Sequence, residues 1–221
     1  MRLLLTSGGL ATKEIVDSLV ELVGKKQSEI SFAVINEAFA VEKGSKRWVI
    51  NELANLGKIF SGEIDIVDLF ALSKEEIGNR IKNSDVFYVL GGHTDYLMSV
   101  YNKSGFAEIL PDLLKDKVYA GSSAGSMVAC RRVSTEAYWN IYGEENDFDV
   151  QEYLNLTDFA IKPHLGSADF PKSREDVLQK VSETFDKTIY GLRDYQAIMV
   201  KDVEIEFVGG KPLTLLNGEE I

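Results

Sequence analysis

Short apolar runs alternate with amphipathic stretches from the N-terminus as far as Leu90. Residues 2–6 form an apolar run closed by Ser7-Gly8-Gly9. Residues 13–23 then place Ile15, Val16, Leu19, Val20, Leu22 and Val23 at the spacing of a helix with one buried face. The pattern repeats. Residues 30–35 are predicted as a strand, 46–59 as a helix, 64–69 as a strand, and 73–81 as a helix opened by the capping-box sequence Ser73-Lys74-Glu75-Glu76. Residues 86–90 and Val118-Tyr119-Ala120 are further apolar strands. Strands apolar on both faces, joined by helical crossovers, predict an α/β fold with a mostly parallel central sheet and helices on both faces.

The second half is looser. Residues 139–149 are dense in aromatic and acidic side chains without periodicity and read as a surface excursion. Residues 159–162 are a strand ending at Pro163-His164, residues 174–185 a helix, and residues 188–192 a strand ending at Arg193-Asp194. Residues 197–200, 203–208 and 212–216, joined through Lys201-Asp202 and Gly209-Gly210, read as a C-terminal β-meander. No repeat, low-complexity tract or linker interrupts the 221 residues, so residues 1–221 are expected to form a single domain.

Composition narrows the function classes. No uninterrupted apolar stretch reaches the roughly 18 residues that a membrane helix needs, and the first apolar run breaks at Ser7, so a cytoplasmic protein without membrane partners is expected. The net charge of −11 argues against general nucleic-acid binding, which needs clustered Lys and Arg. Cys130 is the only cysteine, so neither an intramolecular disulfide nor a thiolate zinc cluster can form. It is expected to pack as a small apolar residue on the helix after Ser123.

Directly after the strand Val118-Tyr119-Ala120 comes Gly121-Ser122-Ser123-Ala124-Gly125, a G-x-S-x-G followed by the helix-compatible residues 126–130. That context suits a nucleophile elbow, a sharp strand-to-helix turn that lifts the central serine above the sheet. Ser123 is the candidate nucleophile. A serine hydroxyl needs an imidazole to take its proton and a carboxylate to hold that imidazole in the useful tautomer. The chain has two histidines, and His164, which ends a predicted strand as Ser123 does, is preferred to His93. Asp194 ends the next strand and is the candidate acid. An α/β-hydrolase order would instead draw the acid from Asp147, Asp149 or Asp158, between Ser123 and His164. Gly91-Gly92 and the backbone of Ala124 are candidates for an oxyanion hole, and His93 lies where it could line the cleft.

Four motifs in register, Leu90-Gly91-Gly92-His93-Thr94, Gly121-Ser122-Ser123-Ala124-Gly125-Ser126, Lys162-Pro163-His164 and Gly191-Leu192-Arg193-Asp194, resemble the peptidase E family of serine aspartyl dipeptidases. That family is related to the class I glutamine amidotransferase-like proteins, which carry Cys at the elbow. The resemblance spans most of the chain. It implies a glutamine amidotransferase-like or flavodoxin-like fold and a peptidase without metal or other cofactor. Its substrates would be short peptides, chiefly dipeptides with an N-terminal Asp. It carries the nucleophile to Ser123, the base to His164 and the third member to Asp194, where well-known members have Glu. Arg174 matches the substrate-binding arginine, with Lys162 and Arg193 as substitutes, and His93 and Thr94 fall in the substrate loop. A monomer or homodimer is expected. An esterase or thioesterase on a similar elbow and a non-catalytic binding homologue are the alternatives.

Overall fold

Strand β1 (Arg2–Thr6) is flanked by strands from opposite ends of the sequence, parallel to β5 (Val118–Ser122) on one side and antiparallel to β8 (Ala197–Lys201) on the other. In the computed structural model, which describes residues 1–144 and 148–221, these belong to a seven-stranded sheet ordered β3-β2-β4-β5-β1-β8-β9. The others are β2 (Phe32–Ile35), β3 (Ile64–Ile66), β4 (Val86–Val89) and β9 (Glu204–Val208). Strands β3, β2, β4, β5 and β1 are parallel, as the alternation of runs and crossovers requires.

Helices cover both faces. Helices α1 (Lys13–Val23) and α2 (Arg47–Ile59) bury Ile15, Leu19 and Leu56 against Leu4, Phe32 and Tyr88. The opposite face carries α3 (Lys74–Lys82), α4 (Thr94–Ser104), α5 (Phe106–Leu113) and α6 (Ala124–Met127), with Ile77, Leu97, Leu110 and Met127 packed over Leu5, Phe87 and Tyr119. The Ser73 capping box forms as read, with Ser73 Oγ accepting from the Glu76 N–H and the Glu76 carboxylate from the Ser73 N–H. Two further helices, α7 (Thr135–Tyr142) and α8 (Glu175–Ser182), lie in the second half. Among the described residues no helix is long and apolar enough to cross a membrane.

Three local readings are refined. Helix α7 starts within the region before the expected irregular segment and runs through Tyr142, with Ser134 accepting from the Ala137 N–H at its start and Gly143 in the left-handed region at its end. The strands before His164 and Asp194, β6 (Ala160–Lys162) and β7 (Ile189–Gly191), leave the central sheet. They pair in parallel within a second sheet ordered β11-β10-β7-β6. The antiparallel tail is shared between the two sheets: β8 and β9 extend the central one, and β10 (Leu213–Leu216) crosses to β7 and turns into β11 (Glu219–Glu220). Gly209 and Gly210, both at positive φ, and Pro212 after them redirect the chain there. One continuous core joins the sheets, since Ala160, Ile189 and Leu215 belong to the same buried cluster as Leu5 and Phe87.

Candidate active site

The elbow is strained and pinned. Ser123 sits at φ 50° and ψ −113°, a region that residues with a Cβ rarely adopt. The Thr6 carbonyl holds the turn from below, accepting the Ser123 N–H at 3.1 Å and the Ser126 hydroxyl at 2.7 Å. Gly125 is required by packing, because a Cβ there would lie 2.2 Å from the Val89 carbonyl oxygen. The helix that follows is the four residues of α6, shorter than expected, and Cys130 beyond it is fully buried, with burial pushing its thiol pKa up to about 12.

His164 Nε2 lies 2.8 Å from Ser123 Oγ, and His164 Nδ1 lies 2.6 Å from Asp194 Oδ1. The three sequence-predicted residues therefore meet in one hydrogen-bonded line, although Ser123 stands on the central sheet and the other two follow strands of the second sheet. Ser7, read from sequence only as part of a turn, joins the sheets. Its hydroxyl accepts the His164 N–H at 2.8 Å and approaches Asp194 Oδ1 and the Leu192 carbonyl at 3.3 Å each. Phe170 stacks on the imidazole with ring centroids 4.2 Å apart and planes 10° from parallel, fixing the ring's tilt. Hydrogen bonding to His164 holds the Asp194 carboxyl below its ordinary pKa, so the half-exposed group is a carboxylate at neutral pH.

Gly91 faces Ser123 closely enough that a Cβ on it would stand 3.1 Å from Ser123 Cβ. Gly92, at φ 134°, passes so near the Ala38 carbonyl that a side chain would collide with it at 2.3 Å. Among the described residues no hydrogen bond uses the backbone N–H of Gly91, Gly92 or Ala124. These three donors beside Ser123 have the character that an oxyanion hole needs.

The other candidates separate into those near the cleft and those away from it. His93 caps α4, its Nδ1 accepting from the Tyr96 N–H at 3.3 Å, with its ring edge-on to Phe148. Thr94 is buried and gives its N–H and hydroxyl to Glu144 at 3.3 and 3.2 Å. Neither lines the cleft, but Glu144 does. Burial raises the Glu144 pKa to about 8. Lys162 is fully buried behind this wall, its Nζ 3.5 Å from the Tyr138 ring centroid and without a hydrogen-bond partner among the described residues, and burial lowers its pKa to about 7.

Arg174, expected to bind substrate, is also not brought to the cleft. It precedes α8 with its side chain exposed and forked onto the Asp176 carboxylate at 2.9 and 3.0 Å. Two charges separated by one residue at a helix start find each other at the surface, which draws the guanidinium away. Arg193 reaches Glu175 at 3.5 Å. Of the alternative acids, Asp158 pairs with Arg131 and Lys187, Asp149 accepts from Gln151, and Asp147 lies outside the described residues.

The cleft has a volume of about 920 Å³. Besides Ser123, His164 and Asp194, its walls include Glu52, Tyr142, Glu144 and Phe170, none of which sequence reasoning singled out. Glu52 reaches from α2 to accept the Tyr88 hydroxyl at 2.7 Å, and burial raises its pKa. Among the described residues no group of three or more His, Cys, Asp or Glu side chains could hold a metal ion.

A model of peptidase family S51 matches residues 3–208. An uncharacterized peptidase of Pasteurella multocida is 24% identical over 190 residues, covering 86% of this chain and 89% of that protein. One from Listeria innocua is 28% identical over 170 residues, covering 76% and 75%. The fold is similar to a crystal structure from Listeria monocytogenes described as a peptidase E protein, with a TM-score of 0.75, 23% identity, and coverage of 93% of this chain and 96% of that one. A peptidase from an acI-B1 Actinobacterium gives a TM-score of 0.62 at 18% identity, covering 100% and 96%. The match over nearly the whole chain, through every strand of the central sheet, places the protein in peptidase family S51.

Proposed function

We propose that the protein is a serine peptidase that hydrolyses short peptides, dipeptides among them, through an acyl-enzyme on Ser123. The observation that carries this reading is the unbroken line from Asp194 through His164 to Ser123, at 2.6 and 2.8 Å. Ser123 Oγ attacks the peptide carbonyl as His164 Nε2 takes its proton, and Asp194 stabilises the imidazolium. The N–H groups of Ala124, Gly91 and Gly92 receive the oxyanion. Collapse breaks the C–N bond, and His164 returns the proton to the leaving amine. Water then attacks the ester with His164 again as base, releasing the acid and restoring the serine.

An N-terminal Asp preference, which the family resemblance implies, would need a cation beside the nucleophile. Arg174 is turned away, and Lys58, out on α2, is the one lysine or arginine among the described lining residues, set against Glu42, Glu52, Asp169 and Asp194. Such a cleft favours a free N-terminal ammonium over an acidic side chain. Purified protein should therefore cleave Ala-Leu at least as fast as Asp-Leu, and Ser123→Ala should cleave neither. Faster turnover of Asp-Leu would restore the acidic preference. Turnover of p-nitrophenyl esters without any peptide cleavage would turn the reading toward an esterase.

A further inference from the structure

The cleft is longer than a dipeptide. One wall is a slanting stripe of α2 made by Trp48, Asn51, Glu52, Asn55 and Lys58, which falls within about 120° of the helix circumference at 100° per residue. From Glu52, which neighbours Ser122 and His164, to Lys58 the stripe rises about 9 Å at 1.5 Å per residue, the reach of about three residues of extended chain. The other wall at this end is the loop through Leu10 and Ala11, whose Leu10 carbonyl accepts from Asn55 Nδ2 at 3.0 Å and so ties the two walls together. A second hollow of about 430 Å³ shares Leu10, Ala11, Asn55 and Lys58 with the cleft and continues between α1 and α2 to Gln27.

Charge changes along this path. Near the nucleophile the lining carries the Asp194 carboxylate, whereas Lys58 stands at the far end with no ion pair among the described residues. Asn51 and Asn55 between them carry amides able to donate to and accept from a peptide backbone.

Resting on the serine peptidase reading, we infer that the α2 stripe is an extended subsite for the leaving-group side of an oligopeptide of about four to six residues, whose free C-terminal carboxylate is held by Lys58. Contacts this far from the scissile bond raise kcat/KM only where the substrate is long enough to reach them. A dipeptide leaves the part of the stripe beyond Glu52 empty.

The test is kcat/KM for an alanine series from dipeptide to hexapeptide, each with a free or an amidated C-terminus, with the wild type and Lys58→Glu. The wild type should gain about tenfold or more from dipeptide to pentapeptide. Amidation or Lys58→Glu should each remove about two- to fivefold of the pentapeptide's rate, the range for a solvent-exposed ion pair. The two losses should not add, because both break the same contact. Rates that are flat or fall with length, or amidation and Lys58→Glu losses that multiply, overturn the subsite and leave the dipeptidase reading standing. No cleavage at any length, with Ser123 unlabelled by a phosphonate, overturns both.

Discussion

The backbone N–H of His164 donates to the Ser7 hydroxyl at 2.8 Å, so the proposed base is tied to the end of β1. His164 is itself at φ 64°, a conformation that the surrounding contacts must hold. Ser7→Ala leaves that amide without its acceptor, at a cost of about 1–3 kcal/mol. It also loosens the imidazole. Denaturant unfolding should show the stability loss, and steady-state kinetics should show kcat lowered about tenfold with KM little changed. Unaltered kcat would show that Asp194 and Phe170 position the ring without Ser7.

Asp194 is half exposed, so water can partly replace it, and Asp194→Asn should lower kcat by about 10²–10⁴ rather than abolish turnover. Its carboxyl pKa is depressed in the folded state by His164. Its contribution to stability is therefore full above the unfolded value near about 3.9 and is lost as pH falls through the folded value. The difference in unfolding free energy between wild type and Asp194→Asn should shrink on acidification below about pH 4. A difference that persists to lower pH would place the interaction elsewhere.

The largely shielded Glu144 and the fully buried Lys162 make opposite claims on pH. Glu144 keeps its proton up to about pH 8, so it weakens the fold progressively as pH rises from about 4.3, the ordinary glutamate value, to about 8. Lys162 loses its proton near pH 7, so the cost of burying its charge is full below pH 7 and is relieved between about 7 and about 10.4. Relative to wild type, Glu144→Gln should gain stability as pH rises from about 5 to 8, and the advantage of Lys162→Met should shrink from about 7 to 10. Denaturation midpoints at spaced pH values check both signs, and pH-independent differences would contradict them.

What the sequence made legible follows its periodicities. Runs such as Leu3-Leu4-Leu5 and Val86-Phe87-Tyr88-Val89, buried on both faces, announce parallel strands, and the glycines around Ser123 announce a turn that needs them. Strand-end placement also picked out His164 and Asp194, whose side chains the structure lines up with Ser123. It did not reveal that β6 and β7 belong to another sheet, because sheet membership depends on long-range pairing that a three-residue strand does not encode. Ser7 occupied a strand end too, but a serine beside two glycines reads as turn chemistry, and its bridging role appears only when residues 157 positions apart meet. Glu144 was hidden in an aromatic and acidic stretch where no pattern showed that its own side chain would be shielded. Arg174 was misplaced by a local effect, since Asp176 two residues on captures it.

The central claim is that Ser123 is the nucleophile and His164 its base. The most direct measurement is peptide mapping by mass spectrometry after treatment with a serine-directed phosphonate, with residual peptidase activity followed in the same samples. A single adduct on Ser123, formed in step with loss of activity and greatly slowed in His164→Ala, is the predicted result. Full inactivation with the adduct on another residue, or peptide cleavage that persists with Ser123 fully modified, would contradict it.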